Sequence, residues 1–248
     1  MIALHGAAVN AASLLPLQRA LGEGVEVLLP DLPGHGSRRD KPFRIATALG
    51  MINDLIRNVA ADVPIVLVGD SLGGYLALLA AAKAGSRVQA VVAGGASFDM
   101  RGFGGQLVGF TDIAAKVFGF LAGPQRLERL FGWLAGRMTD PETVAAIMQG
   151  GLRFEARSES ITALRQVNLM SAIQACVGRV YLVNGALDIP AVWYTRKFAA
   201  YARDGYAVVI PFAGHACALS HPVEFADVVH TAIAAAQAEL IRRTRVSA

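Results

Sequence analysis

Short apolar runs alternate along this chain with segments whose apolar residues recur at helical spacing. The runs 63–68, 88–93 and 179–183 have almost no polar interruption, which is typical of parallel strands that helices cover on both faces. The pattern predicts an α/β fold with a mostly parallel sheet flanked by helices. The predicted strands are 1–5, 25–29, 64–69, 88–94, 179–184 and 206–211, and the predicted helices are 13–21, 45–60, 73–84, 191–203 and 222–241.

One long segment, from about 97 to 170, breaks this alternation. It contains helical patterns with frequent glycines and no convincing strand, and seven of the eleven phenylalanines of the chain fall within it. We therefore predict a core formed by residues 1–96 and 171–248, with residues 97–170 inserted as a helical cap.

The composition agrees with this organisation. The chain has 248 residues, enough for one large domain with an insertion, and 54% of them are apolar. The net charge is +4 and the arginines are scattered, so no nucleic-acid partner is predicted. The basic cluster at 242–245 is interpreted as a solvated helix end rather than as a surface for nucleic acid or anionic membranes, since cations are favourable near the negative end of a helix dipole.

The sequence also bears on compartment and membrane association. Cys176 and Cys217 have no metal-ligand spacing, and we expect free buried thiols in a reducing, cytoplasmic environment. The first residues include no basic stretch of the kind that opens a signal peptide. The nearest approach to a membrane span, residues 63–82, contains Asp70 and a pair of glycines, so no span is predicted.

The strongest candidate for chemistry is the stretch Gly69-Asp70-Ser71-Leu72-Gly73, which follows a predicted strand and opens a predicted helix. In this context the serine lies in a sharp turn that lifts its hydroxyl above the sheet, and the two glycines let neighbouring backbone approach. The N-terminus of the following helix favours negative charge that develops there. The bare pattern also arises by chance in a chain rich in glycine and serine, so the context carries the argument.

Two further residues follow Ser71 in the order that a serine, acid and histidine set requires. Asp188 lies just beyond the predicted strand 179–184, and His215 lies just beyond 206–211. Taken alone, Asp188 is also compatible with a helix N-cap and His215 with an ordinary loop histidine. Because the carboxyl ends of parallel strands meet at one edge of the sheet, we expect Ser71, Asp188 and His215 to come together as a catalytic triad.

With three further stretches, the chain resembles the α/β-hydrolase superfamily, in its group of single-domain esterase, lactonase and C–C hydrolase-like enzymes. These stretches are Leu4-His5-Gly6-Ala7, Asp31-Leu-Pro-Gly-His-Gly36, and Gly214-His215 followed by His221-Pro-Val-Glu-Phe225. The resemblance covers nearly the whole chain and places 97–170 where the family has its cap. It departs from the family at the N-terminus, where the usual β-hairpin is apparently absent.

The resemblance implies a role for each residue of the site. His215 would accept the Ser71 proton, and Asp188 would fix the histidine tautomer. The backbone N–H groups of Leu72 and Ala7 would form the oxyanion hole, with Ala8 as an alternative to Ala7. Asp70 is expected to be solvated or to cap a helix, with tuning of the site as the alternative, and His35 is expected to be structural rather than catalytic. No cofactor and no metal are implied, because the chain has neither a dinucleotide-binding glycine pattern nor metal-ligand spacing.

These observations predict a serine hydrolase that cleaves a carboxylic ester, thioester or lactone of an apolar small molecule through an acyl-enzyme on Ser71. The alternatives are a lyase or non-hydrolytic synthase on the same fold, and a silent ligand binder, which is disfavoured because every triad position is filled. Aromatic residues of the cap favour an apolar pocket, although packing within the cap also explains them; they are Phe103, Phe110, Phe118, Phe120, Phe131 and Trp133. Glycines that suggest a hinged cap are Gly102, Gly104, Gly105, Gly119 and Gly123.

Overall fold

A central sheet of five strands organises the computed structural model, which describes residues 1–102, 105–106, 108–109, 113 and 123–247. The strands are adjacent in chain order and every pairing between them is parallel. They are β1 (Ile2–Leu4), β2 (Val66–Asp70), β3 (Ala90–Gly94), β4 (Arg179–Gly185) and β5 (Gly205–Ile210). The predicted parallel sheet is thereby confirmed.

The predicted strand at 25–29 is wrong: that segment makes only an isolated bridge, from Leu28 to Ile2 of β1. The Leu28 N–H donates to the Met1 carbonyl at 3.0 Å, and the Ala3 N–H donates to the Leu28 carbonyl at 2.9 Å. In a parallel ladder the next donor on this side would be the N–H of residue 30. Residue 30 is a proline, which has no N–H, so the ladder stops after one bridge.

Helices lie on both faces of the sheet, close to the predicted ranges. In chain order they are α1 (Leu15–Leu21), α2 (Ile45–Asn58), α3 (Leu72–Ala84), α4 (Pro124–Ala135), α5 (Pro141–Gly150), α6 (Phe154–Leu164), α7 (Leu169–Ala175), α8 (Ala191–Ala199), α9 (Cys217–Ser220) and α10 (Pro222–Ser247), with short 3₁₀ turns at Ala11–Leu14, Gly36–Arg38 and Gly85–Arg87. Pro222 opens α10, where a missing N–H costs no hydrogen bond.

Alternate residues of the strands supply two separate cores. Leu67, Val91 and Leu182 point to one face and pack with α2, α3, α7 and α8. Val68 and Val92 point to the other face and pack with α1, α9 and α10. Because both faces are buried, each central strand needs apolar residues at every position, which explains the uninterrupted runs in the sequence.

The segment 97–170 contributes α4, α5, α6 and the start of α7, and the described part of it holds no strand. The Asn10 side chain of the core donates to the Ile147 carbonyl of α5 at 2.8 Å, and the Phe43 N–H donates to Glu159 of α6 at 3.1 Å. Of the expected hinge glycines, Gly104 and Gly119 lie outside the described residues. Within the described ranges, no helix combines the length and the apolar character that a membrane crossing requires.

Candidate active site

Ser71 lies in the turn between β2 and α3 with φ 53° and ψ −116°, a strained conformation for a residue with a side chain. The two flanking glycines are required by close contact. A Cβ on Gly69 would lie 2.1 Å from the carbonyl carbon of Gly73, and a Cβ on Gly73 would lie 2.0 Å from the carbonyl oxygen of Leu4. The turn therefore fits only because both positions lack a side chain.

The structure brings the three predicted residues of the triad together. The Ser71 Oγ and the His215 Nε2 are 2.9 Å apart, and the His215 Nδ1 and the Asp188 Oδ2 are also 2.9 Å apart. The His215 side chain is 54% exposed and the Asp188 side chain 13% exposed, so the imidazole faces the cavity and the carboxylate lies behind it. This arrangement positions a hydroxyl, a base and an acid in one chain of hydrogen bonds.

The hydrogen bonds fix the tautomer and influence the charge of His215. The Nδ1–H donates to the carboxylate of Asp188, which leaves Nε2 as an acceptor for the Ser71 hydroxyl. Burial lowers the pKa of His215, but the hydrogen bond and the charge of Asp188, with a smaller effect of Asp70, outweigh it, and the pKa is raised from its usual value of 6.5. Asp188 thus favours the imidazolium form.

The backbone around Asp188 holds its side chain toward His215. The Asp188 N–H donates to the Gly185 carbonyl at 3.1 Å, and its carbonyl accepts from the Val192 N–H at 2.8 Å. The N-cap residue of α8 is Pro190, so Asp188 is not the N-cap of this helix.

The predicted donors of the oxyanion hole are the backbone N–H groups of Ala7 and Leu72. Ala7 and Leu72 line the same cavity as Ser71, and in the described part of the chain neither N–H donates to another protein group. The Ala8 N–H, in contrast, donates to the His35 Nε2 at 3.3 Å. The geometry therefore favours Ala7 over Ala8 as the donor that accompanies Leu72.

Two buried histidines hold the loop that carries Ala7. His35 hydrogen-bonds the Pro33 carbonyl through Nδ1 at 3.0 Å, which leaves Nε2 to accept from the Ala8 N–H. The bond to Ala8 connects two loops, in agreement with the structural role predicted for His35. His5 is fully buried; its Nδ1 hydrogen-bonds the Gly6 carbonyl at 2.8 Å and its Nε2 accepts from the Leu32 N–H at 3.0 Å. Burial and the neighbouring His35 lower the pKa of His5 to about 4.

The buried His5 predicts that the protein loses stability on mild acidification. The unfolded chain takes up a proton near pH 6.5, whereas folded His5 does so only near pH 4, so stability falls as the pH drops through this window. We expect a loss of about 2 kcal/mol between about pH 7 and pH 5 beyond that of a His5→Gln variant, which keeps an acceptor for Leu32. Chemical denaturation at the two pH values measures the difference. Equal pH dependence in the two proteins would contradict the assignment.

Asp70 differs from the expectation of a solvated or helix-capping residue. It is 7% exposed, its Oδ1 has no hydrogen-bond partner among the described residues, and α3 is preceded by Ser71 without a side-chain cap. The reason is its register position. Asp70 lies on the same face of β2 as Val66 and Val68, which point into the core below α10.

A cavity of 330 Å³ opens above Ser71 and His215. Its apolar wall comes from α3, α6 and the loops after β3 and β4, and consists of Tyr75, Phe98, Met100, Val108, Ile161, Leu164 and Ile189. Arg157 and Ser160 add polar groups from the same helix as Ile161 and Leu164. The spacing of these four residues of α6 indicates one helix face, but the sequence did not indicate that this face lines the site.

The sequence predicts that most of the six aromatic residues from Phe103 to Trp133 pack within the cap and that a few face the cavity; the two that are described do not line the cavity. Phe131 packs in a small cluster with Ile147 and Leu219. Trp133 is 56% exposed, and the guanidinium of Arg137 lies 3.4 Å from its ring centre. Phe103, Phe110, Phe118 and Phe120 lie outside the described residues. No cluster of metal-ligating side chains occurs in the described ranges.

Fold and site define the class of protein. Residues 1–228 match the model of the alpha/beta hydrolase family, and the chain belongs to that family.

The chain is also similar to individual proteins of known sequence or structure. It is 29% identical over 256 aligned positions to the pimeloyl-[acyl-carrier protein] methyl ester esterase of Xanthomonas campestris pv. campestris, with 95% of each chain covered. It is 33% identical over 95 residues to the enzyme of the same name from Nitrosospira multiformis, across 37% of this chain and 36% of that enzyme. In structure it is similar to E-2-(acetamidomethylene)succinate hydrolase, with a TM-score of 0.72, 24% identity, and coverage of 94% and 90%. The predicted class, a carboxylic ester hydrolase of α/β fold, is confirmed.

Proposed function

We propose that this protein hydrolyses a carboxylic ester with an apolar acyl chain through a covalent acyl-enzyme on Ser71. The observation that carries the proposal is the continuous chain of hydrogen bonds from Ser71 through His215 to Asp188, with both distances at 2.9 Å and its reactive end open to an apolar cavity.

In the first half of the reaction, the Ser71 Oγ attacks the carbonyl carbon of the ester while the Nε2 of His215 accepts the hydroxyl proton. The carbonyl oxygen becomes an oxyanion, which the N–H groups of Leu72 and Ala7 stabilise. Asp188 stabilises the imidazolium. The bond from carbon to the alcohol oxygen then breaks, and His215 returns its proton to the departing alcohol.

In the second half, a water molecule attacks the acyl carbon while His215 accepts one of its protons. A second oxyanion forms at the same N–H groups, and the bond from carbon to the Ser71 Oγ breaks. His215 gives its proton back to Ser71, and the carboxylic acid leaves. The net change is addition of one water across the ester bond.

The shape and chemistry of the cavity support an apolar acyl chain. Its walls are formed mainly by side chains without charge, among them Met100, Ile161 and Leu164. The name of the Xanthomonas campestris relative describes a methyl ester on a pimeloyl chain bound to acyl-carrier protein. We propose a related substrate class for this chain, a small alkyl ester of a medium-length acyl group. The ester named for that relative is the first natural substrate to assay.

The apolar cavity predicts that activity rises with acyl length. Each methylene that the cavity buries contributes about 0.8 kcal/mol, so kcat/KM for p-nitrophenyl esters should increase about fourfold per methylene from acetate toward octanoate. Leu164→Ala should flatten this increase, and Leu130→Ala, on the exposed side of α4, should leave it unchanged. A profile that is flat or falls from acetate onward would rule out an apolar acyl site.

Covalent labelling tests the nucleophile directly. A fluorophosphonate probe should modify Ser71, because a serine activated by a histidine reacts whereas an isolated serine does not. After trypsin cleavage, the adduct should appear on the peptide 58–83, in which Ser71 is the only serine. Release of a carboxylic acid from unlabelled enzyme distinguishes hydrolysis from lyase chemistry. An adduct on another peptide would contradict the proposal.

The proposal also includes the extent of the cap and the cellular compartment. We propose residues 97–170 as the cap that covers the site, supported by the four residues of α6 in the wall of the cavity. We also propose a reducing, cytoplasmic setting, supported by Cys176 and Cys217, which are both buried and unpaired with each other.

A further inference from the structure

Asp70 is a buried carboxyl group that the reaction described above does not use. It directly precedes Ser71, it is 7% exposed, and its Oδ1 has no hydrogen-bond partner among the described residues. A buried carboxylate without partners is costly, and a protein retains one chiefly where it affects a functional site.

Asp70 and His215 pack against neighbouring residues at the end of β3. Asp70 of β2 is in register with Gly94 of β3, and a Cβ on Gly94 would lie 3.1 Å from the Asp70 Oδ1. The next residue, Gly95, touches the histidine: a Cβ there would lie 3.0 Å from the Cε1 of His215. The carboxyl group of Asp70 and the imidazole of His215 thus lie against consecutive residues of one strand end.

The surroundings of Asp70 otherwise leave its charge uncompensated. Phe225 of α10 lies 2.9 Å from the same position on Gly94 and belongs to the apolar core. Cys217 of α9 is buried, and its pKa is raised by burial and by the charge of Asp70, so it stays a neutral thiol. The charged groups that influence this cluster are therefore Asp188 and His215, with Arg157 acting on His215 from α6.

The charges of Asp70 and His215 influence each other. Burial raises the pKa of Asp70 to about 7, the charge of His215 opposes this rise, and Asp188 adds to it. In return, a negative charge on Asp70 raises the pKa of His215. The two groups form a coupled pair in which ionisation of the carboxyl favours protonation of the ring.

We propose that Asp70 is a second acid of the site, a positioning residue that stabilises the imidazolium of His215 through space while Asp188 does so through a hydrogen bond. This inference rests on the proposed function. It predicts that the reaction rate rises further as Asp70 ionises. An enzyme with Asp188 alone would not show this additional rise.

The test compares wild type with Asp70→Asn, a replacement of the same shape without the charge, between about pH 5.5 and pH 8.5. Because Asp70 is protonated at the low end, the fluorophosphonate labelling rates of the two proteins should be similar there. The ratio of wild type to variant should then rise about tenfold toward the high end, which corresponds to about 1.4 kcal/mol of added stabilisation of the imidazolium.

Asp99→Asn is the matched control. Asp99 is paired with Arg101, which lowers its pKa against the opposing effect of burial, so it is ionised throughout this pH range. Its loss should change the labelling rate by a constant factor. A flat ratio for Asp70→Asn as well would overturn the inference, since a purely structural effect of the substitution does not follow pH.

The outcomes distinguish this inference from the proposed function. Labelling of Ser71 with a flat ratio overturns the role of Asp70 alone, whereas absence of labelling in wild type overturns both. If Asp70→Asn does not fold, the Cε1 proton of His215 in wild type is followed by NMR across the same range. A titration in two steps supports the coupling, and a single step overturns it.

Discussion

Ser71→Ala is expected to lower kcat for ester hydrolysis by about a millionfold, the loss found when the serine of a comparable triad is removed. The variant keeps the cavity, His215 and the N–H groups of Leu72 and Ala7, but it has no atom that can form the acyl intermediate. The residual rate should equal that of ester hydrolysis assisted only by binding and by the oxyanion hole. Stopped assays with a highly reactive p-nitrophenyl ester provide the required sensitivity.

A matched control for this substitution is Ser160→Ala. Ser160 lines the same cavity, but its hydroxyl donates to the Ala156 carbonyl at 2.6 Å instead of to His215. Its loss should change kcat by less than about tenfold, the scale of one missing neutral hydrogen bond. If Ser160→Ala and Ser71→Ala lost activity equally, the hydroxyl of Ser71 would have no special role.

Asp188→Asn is expected to cut turnover by about ten-thousandfold without unfolding the protein, by analogy with the same change in a serine protease. An amide at this position donates to the Nδ1 of His215 as readily as it accepts, so the ring no longer presents a proton acceptor to Ser71. The raised pKa of His215 should also fall, because its main favourable contributions come from Asp188. The acid limb of the pH profile should therefore move to lower pH.

Circular dichroism and thermal melting separate this effect from a loss of structure. Asp204→Asn serves as the control, since Asp204 forms an exposed ion pair with Arg179 at 2.8 Å, on another part of the chain. Exposed pairs contribute little, so this variant should retain its activity. A loss of less than about tenfold in Asp188→Asn would mean that another group orients His215.

Much of the fold could be predicted because the strands between the two cores appear in the sequence as apolar runs. Strands buried on both faces are mainly apolar, and β2, β3 and β4 show this in their central residues. The segment 25–29 is also mostly apolar, apart from Glu26, but it lies beside β1 only, and its pairing depends on a backbone donor that Pro30 lacks. Composition alone does not reveal how far a ladder continues.

The candidate triad could be predicted in the same way because each member lies shortly after the end of a strand. The wall of the cavity could not, because α6 could present any of its faces to the site, and only tertiary packing decides which. The burial of Asp70 could not be predicted from the sequence either. A carboxyl at the end of a strand is usually solvated, and its burial follows from the pleat of β2 and from Phe225 beneath it.

The contact between Gly73 and Leu4 has a consequence for how this enzyme could change its specificity. The proposed donors of the oxyanion hole follow β1 and open α3, and a Cβ placed on Gly73 would lie 2.0 Å from the Leu4 oxygen, so the two elements are in close backbone contact. A side chain at Gly73 would therefore push α3 away from β1 and separate the two proposed donors, whereas the facing wall on α6 belongs to the proposed cap. Directed evolution toward new esters should therefore accept substitutions at Ile161 and Leu164 far more readily than anywhere along Leu4, Gly69 and Gly73.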